Sequence, residues 1–325
     1  MAATEDTARL GDGVLPRHQH IELTPDIEAG TFSGSTRIEL ELSAPTDAIT
    51  LHAVDLGLTT VQLHHGSRPL HVREVTADEV TETVTLHLGE QAPEGPAALE
   101  IEYAGQFCDR LVGMYSSTFT VDGEEHELIV TQCESTHARR FVPCFDEPAF
   151  KATFSMTLLV PADLMAVSNA AEVSREPAGA GLDRVQFADT PPMSTYLLAV
   201  VVGPLEATKP RIVEGRGGDI GVRVVHPPGD PALCEFALDV AEAALLFFED
   251  WYDLPYPGDK LDLVAVPDFA FGAMENLGCV TFREVLLLVD PSTATPQELQ
   301  RVADVINHEI AHMWFGNLVT MKWWN

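Results

Sequence analysis

The sequence predicts a multidomain protein: an all-β domain built as an antiparallel sheet or sandwich over residues 1–204, followed by the start of an α+β domain over residues 205–325. Three observations carry that reading. At 325 residues the chain exceeds the length at which one hydrophobic core usually keeps growing. Its first two thirds alternate short β-rich stretches with turn-forming clusters and hold no long amphipathic helix, the pattern of a sheet or sandwich rather than of βαβ units. Beyond about residue 205 helical periodicity enters twice, between further β-rich runs.

In the first domain, strands are expected at residues 18–24, 31–42, 56–63, 80–88, 99–106, 114–120 and 126–132, then at 150–160, 185–187 and 196–202. Groups such as Glu28-Ala29-Gly30, Pro93-Glu94-Gly95-Pro96 and Asp122-Gly123 supply the turns, and Gly203-Pro204 breaks the series. In the second domain a strand at 221–225 leads to Asp230-Pro231, a cap followed by a first-turn proline. A helix over 232–252 follows, its apolar stripe read as Leu233, Phe236, Ala237, Val240, Ala244, Phe247 and Trp251. Strands at 261–266 and 281–288 precede a second helix. Its start is marked by Thr295, Pro296 and Glu298, which together make a capping box with proline at the first position, and Gly316-Asn317 offers the stop.

Composition removes several function classes. The net charge of −31, from 19 basic and 50 acidic residues, would repel a phosphate backbone, so nucleic acid is not an expected partner. No apolar run approaches the ~18 residues of a membrane span. The polar, acidic residues 1–13 lack the basic and apolar regions of a secretory leader. Five cysteines, Cys108, Cys133, Cys144, Cys234 and Cys279, are odd in number and contain no CxxC pair. They suit small buried residues in a reducing compartment, and a cytoplasmic location is expected.

The second helix carries His308-Glu309-Ile310-Ala311-His312. Four positions along a helix leave two side chains roughly 40° apart and one turn displaced, so both imidazoles can reach one cation. Zinc takes such nitrogen ligands in tetrahedral sites and keeps a position open for water when it is catalytic. Glu309, beside the first histidine but aimed elsewhere, suits a base that removes a proton from water. The stripe Ile306, Ile310 and Met313 would bury the opposite face. The residues therefore read as the zinc-binding half of a metallopeptidase site, with His308 and His312 as metal ligands and Glu309 as the catalytic group.

The run from His308 to Thr320, His-Glu-Ile-Ala-His-Met-Trp-Phe-Gly-Asn-Leu-Val-Thr, resembles the zinc signature of the M1 family of aminopeptidases, the aminopeptidase N-like gluzincins. Gly272-Ala273-Met274-Glu275-Asn276 resembles their exopeptidase motif, and the likeness extends to Thr131-Gln132-Cys133-Glu134 and to residues 139–148. The resemblance implies a thermolysin-like catalytic domain and an enzyme that takes peptides with a free N-terminal amine. Glu275 would bind that amine with Glu134, through charge-assisted hydrogen bonds that an internal peptide segment cannot offer. Gly272 and Ala273 would pair with the substrate backbone as an added strand, while Gln132 would lie by the first side chain and Met274 and Asn276 complete the motif. The family's third zinc ligand, a glutamate nineteen positions after His312, would fall at 331, beyond Asn325. The chain is thus expected to be the N-terminal portion of a longer enzyme, missing the C-terminal part that completes the site.

Read without the resemblance, Gln132 and Glu134 are polar residues at a strand end, Glu275 is a turn residue and Met274 a packing one. Asp146-Glu147-Pro148 reads as a solvated turn, and Trp314, Trp323 and Trp324 as packing residues. Cys133 and Leu277 depart from the family pattern, which commonly has an aromatic or methionine at the first and tryptophan at the second, so the preferred first residue stays open. Two other readings also stay open: a peptidase with epoxide-hydrolase activity like leukotriene A4 hydrolase, which usually has a second glycine at the position of Ala273, and a non-catalytic interaction module.

Overall fold

The computed structural model describes residues 9–325; most of the segment read for a missing leader, residues 1–8, lies outside them. The dominant feature is an eight-stranded sheet ordered Glu172–Gly179, Leu182–Phe187, Thr153–Pro161, Val14–Asp26, Thr31–Leu42, Gly95–Gln106, Gly57–His65, Arg68–Leu70. Period-two burial explains its central strands: along Thr31–Leu42 the side chains of Thr36, Ile38, Leu40 and Leu42 are buried and their neighbours are not. All its ladders are antiparallel except Val14–Asp26 against Thr153–Pro161, which run parallel. A three-stranded sheet, Thr46–His52, Thr83–Ala92 and Val72–Asp78, adds Ile49, Leu51 and Leu86 to the same buried cluster.

A four-stranded sheet, ordered Met165–Ser168, Val200–Gly203, Glu124–Gln132, Gly113–Val121, comes next. Residues 128–132 are buried without alternation, so both faces of that strand end are covered. Glu134 follows two residues later. The last sheet is mixed. Gly218–His226, Lys260–Val266 and Cys279–Arg283 run parallel, and the first of these connections passes through helix α1 (Glu235–Tyr252). Ala273–Met274 adds antiparallel to Cys279–Arg283 and ends the sheet order, leaving its far edge unpaired among the described residues. Helix α2 (Pro296–His312) starts at the expected capping box: Glu298 N–H donates to Thr295 Oγ1 at 3.3 Å, and Thr295 N–H to Glu298 Oε2 at 2.8 Å.

Several expectations need correction. Residues 196–202 are not one strand, because a 3₁₀ turn at Thr195–Leu197 precedes Val200–Gly203. The strand expected at 281–288 ends at Arg283 and passes into a 3₁₀ turn at Glu284–Leu286. The buried stripe of α1 is Ala237, Leu238, Ala241, Ala244, Leu245 and Glu249, rotated from the one expected, and Phe247 and Trp251 stack on each other at 5.9 Å on its exposed side. Apolar residues on both sides of the helix widened its hydrophobic arc, so periodicity alone could not choose the face. Asp146 and Glu147 are not solvated. Their relative exposures are 1% and 2%, and Arg139 Nε donates to Asp146 Oδ2 at 2.9 Å while Thr195 Oγ1 donates to Oδ1 at 2.6 Å.

No helix among the described residues is long and apolar enough to cross a membrane. Cys133, Cys144, Cys234 and Cys279 are buried and free, and Cys108 is half-buried and free.

The Asp146 network makes one titration matter. The Asp146 N–H donates to His52 Nδ1 at 3.2 Å, and burial followed by the Arg139 charge holds the imidazole down to about 3. The unfolded chain takes up this proton near pH 6.5 and the folded one does not, so stability present above that pH is lost as pH falls toward 3. At pH 5 the loss is about 2 kcal/mol. Denaturation midpoints compared at pH 7 and pH 5 should show His52→Asn flattening the acid dependence by that amount.

Candidate active site

Helix α2 delivers its last turn to the mouth of a cavity of about 540 Å³. His308 and His312 sit one turn apart, with Nε2 atoms at 3.1 Å and ring planes at 84°. The Phe315 carbonyl lies 3.1 Å from His312 Nδ1. A carbonyl only accepts, so that contact puts the His312 proton on Nδ1 and leaves the Nε2 lone pair facing His308. The chain then turns sharply at Gly316, whose φ of +149° and a Cβ position only 2.7 Å from His312 Nδ1 both require glycine.

Opposite the helix, the short edge strand Ala273–Met274 leads into Glu275, whose side chain enters the cavity while its carbonyl accepts from Asn317 Nδ2 at 2.8 Å. Glu134 reaches the same cavity from the end of Glu124–Gln132. One carboxylate oxygen each of Glu275 and Glu309 and one ring nitrogen of His312 lie within 4.8 Å of one another. The lining contains no lysine or arginine among the described residues. Burial, then the charges of Glu275 and Glu134, push the Glu309 carboxyl up to about 8. Glu134 is raised by burial and by Glu275, with His312 pulling the other way. Such a set of carboxylates is stable only when a positive charge joins it or a proton is retained. The arrangement therefore favours cations, whether a metal ion at the imidazoles or an ammonium group between Glu134 and Glu275.

Of the residues singled out in the sequence, the cavity gathers Glu134, Ala273, Glu275, His308, Glu309 and His312. Gln132, Gly272, Met274 and Asn276 do not line it. Gln132 is 1% exposed, with neither amide atom hydrogen-bonded among the described residues. Met274 is buried, and Asn276 closes the loop through its carbonyl, which accepts from Cys279 N–H at 3.0 Å.

The cavity adds Tyr196, Phe315, Gly316, Val319, Thr320 and Met321. Tyr196 was hidden in an apolar run, but its hydroxyl donates to the Gly316 carbonyl at 3.1 Å, and burial with the nearby Glu275 and Glu134 raises its phenol well above the usual range. Trp314 packs among Phe248, Tyr252 and Tyr256, and Trp324 meets Tyr196 edge-on at 5.2 Å. A larger cavity of about 670 Å³ lies elsewhere, beside Arg223, Lys260 and Asp262. There Arg223 and Lys260 both pair with Asp262, at 2.6 and 2.8 Å.

Residues 15–197 match the peptidase M1 N-terminal domain and residues 236–325 the peptidase family M1 domain. The chain is 40% identical to aminopeptidase M1-A of Oryza sativa subsp. japonica, over 100% of its own length and 38% of that protein's. It is 41% identical to aminopeptidase M1 of Arabidopsis thaliana, over 97% of the chain and 36% of the relative. With the alanine/arginine aminopeptidase of Saccharomyces cerevisiae it shares 40% identity, again over 97% of the chain and 36% of the relative. The chain thus spans little more than a third of the length of these curated relatives. With both domain models matched in order and a site built from their residues, the chain belongs to the peptidase M1 family.

Proposed function

We propose that this chain carries the metal-binding and amine-binding parts of a zinc aminopeptidase, which releases the first amino acid from peptides with a free N-terminus. The single observation behind this reading is the make-up of one cavity: convergent imidazole nitrogens, two carboxylates without basic partners, and Glu309, with atoms of Glu275, Glu309 and His312 within 4.8 Å of one another. The aminopeptidase names of the relatives support the same reaction. Free cysteines support a cytoplasmic setting.

The donor set suits zinc. Two nitrogens at ordinary bond lengths from a tetrahedral zinc ion lie about 3.4 Å apart, close to the 3.1 Å between His308 and His312 Nε2. The Phe315 carbonyl on His312 Nδ1 is the outer partner that a metal-binding histidine needs to hold its tautomer. A glutamate at position 331 is the expected third ligand. When bound, zinc supplies Lewis acidity toward the scissile carbonyl and toward water.

The chain's own residues do the rest. Glu275 and Glu134 grip the substrate ammonium, which fixes the first residue and admits no N-blocked peptide. The open edge of Ala273–Met274 takes the substrate backbone in extended form. A Glu309 carboxylate oxygen accepts the proton of the attacking water and hands it to the departing amine nitrogen.

In the full-length enzyme, Glu309→Ala should keep stoichiometric zinc and lose about 10²–10⁴-fold in kcat, measured by metal analysis beside hydrolysis of aminoacyl anilides; full activity in that variant would remove Glu309 from its role. Glu275→Gln should lower kcat/KM by roughly 10–100-fold, the worth of one hydrogen bond to a charged group, chiefly through KM, and it should narrow the preference for free over acetylated substrates. Gly316→Ala, with its added carbon against His312 Nδ1, should weaken zinc affinity by about 10–100-fold, read by competition with a chelator.

A further inference from the structure

The turn after α2 joins the two ends of the cavity through one residue. Asn317 is 2% exposed, and its backbone N–H donates to the His312 carbonyl at 2.9 Å. Its Nδ2 donates to the Glu275 carbonyl at 2.8 Å, and its own carbonyl accepts from Lys151 Nζ at 2.8 Å. Lys151 also donates to the Leu318 carbonyl at 3.0 Å, so the turn is held against the β domain. One residue, through its backbone N–H and its side-chain amide, therefore connects the backbone of a proposed metal ligand to that of the proposed amine anchor.

The loop beyond Glu275 has little freedom. Asn169 Nδ2 donates to the Leu277 carbonyl at 2.9 Å and Lys260 Nζ to the Gly278 carbonyl at 2.6 Å. Gly278 adopts φ +72°, and a Cβ there would stand 2.1 Å from the Asn169 carbonyl oxygen. Before Glu275, Ala273 and Met274 are held in register with Phe282 and Thr281. With both flanks fixed, the Asn317 amide is the contact that sets how far the Glu275 backbone stands from α2.

We infer that Asn317 is a positioning residue that sets the distance between the amine anchor at Glu275 and the metal end at His312, and thereby selects substrates whose amine stands one carbon from the scissile carbonyl. The inference rests on the aminopeptidase reading above. An α-aminoacyl group spans that distance, whereas a β-aminoacyl group carries its ammonium one methylene further away. Loosening the link should blur that discrimination, while a purely structural role would lower both activities together.

The test compares α-alanyl and β-alanyl anilides. Asn317→Asp keeps the shape and removes the Nδ2 donor. It should reduce the α/β ratio of kcat/KM by about ten-fold or more, since misplacement near 1 Å costs up to ~10²-fold, with zinc content unchanged. In a Glu309→Ala background, where hydrolysis is silent, the dissociation constants of the two anilides should converge in the same sense. Lys151→Met releases the Asn317 carbonyl from outside the cavity; it should shift the ratio in the same direction and carries the test if Asn317→Asp does not fold. An unchanged ratio, with both substrates slowed alike, overturns the inference and leaves the aminopeptidase reading standing. Zinc loss from a folded variant overturns it too, because Asn317 would then be serving His312 alone. A wild-type enzyme that cleaves N-acetyl-alanyl anilide as well as the free amine overturns both.

Discussion

Glu134, Glu275 and Glu309 face one cavity whose lining holds no lysine or arginine among the described residues, and Glu275 and Glu309 are less than a tenth exposed. Carboxylates so placed repel one another and lose hydration, and the Glu309 carboxyl, pushed up to about 8, registers both effects. A fold that keeps such a cluster gives up stability in return for an affinity toward positive charge. On the reading proposed above, the two imidazoles would take a metal ion and Glu134 and Glu275 an ammonium group, within the same cavity.

The β domain contributes more than attachment. Lys151 holds the turn after α2, Tyr196 donates to Gly316 within it, and Asn169 grips the loop that carries Glu275. Each bond runs from a residue of the stretch that matches the M1 N-terminal domain to a main-chain carbonyl of the stretch that matches the family M1 domain. Main-chain acceptors are a robust choice, since they persist through changes in the side chains around them. The acidic network of Asp146 lies behind these contacts, with Thr195 joining it to the turn that carries Tyr196.

Much of this was legible in the sequence because it is local. The capping box at Thr295 and Glu298 marks the start of α2, and the spacing of His308 and His312 brings both rings to one side. Glu124–Gln132 was recognisable as a strand, though not its burial on both faces. What escaped notice depends on partners far away in the chain. Lys151 acts on a carbonyl 166 residues later, so nothing near it signals a role. Asp146-Glu147-Pro148 has the local chemistry of an exposed turn, and its burial is made tolerable by Arg139, Thr195 and His52 around Asp146 and by the Leu10 N–H on Glu147. Glu172–Gly179 was missed because an edge strand that carries proline and charged residues need not alternate.

The unpaired side of Ala273–Met274 has a consequence for whatever enters the cavity. Hydrogen bonds to a strand edge can form only with a chain whose own amides are unoccupied and spaced as in an extended strand. A terminus wound into a helix presents neither. On the reading proposed above, the edge would act as a conformational filter that sees main chain before side chain: termini already unfolded or frayed would dock, while those locked into a folded body would stay out of reach until they open.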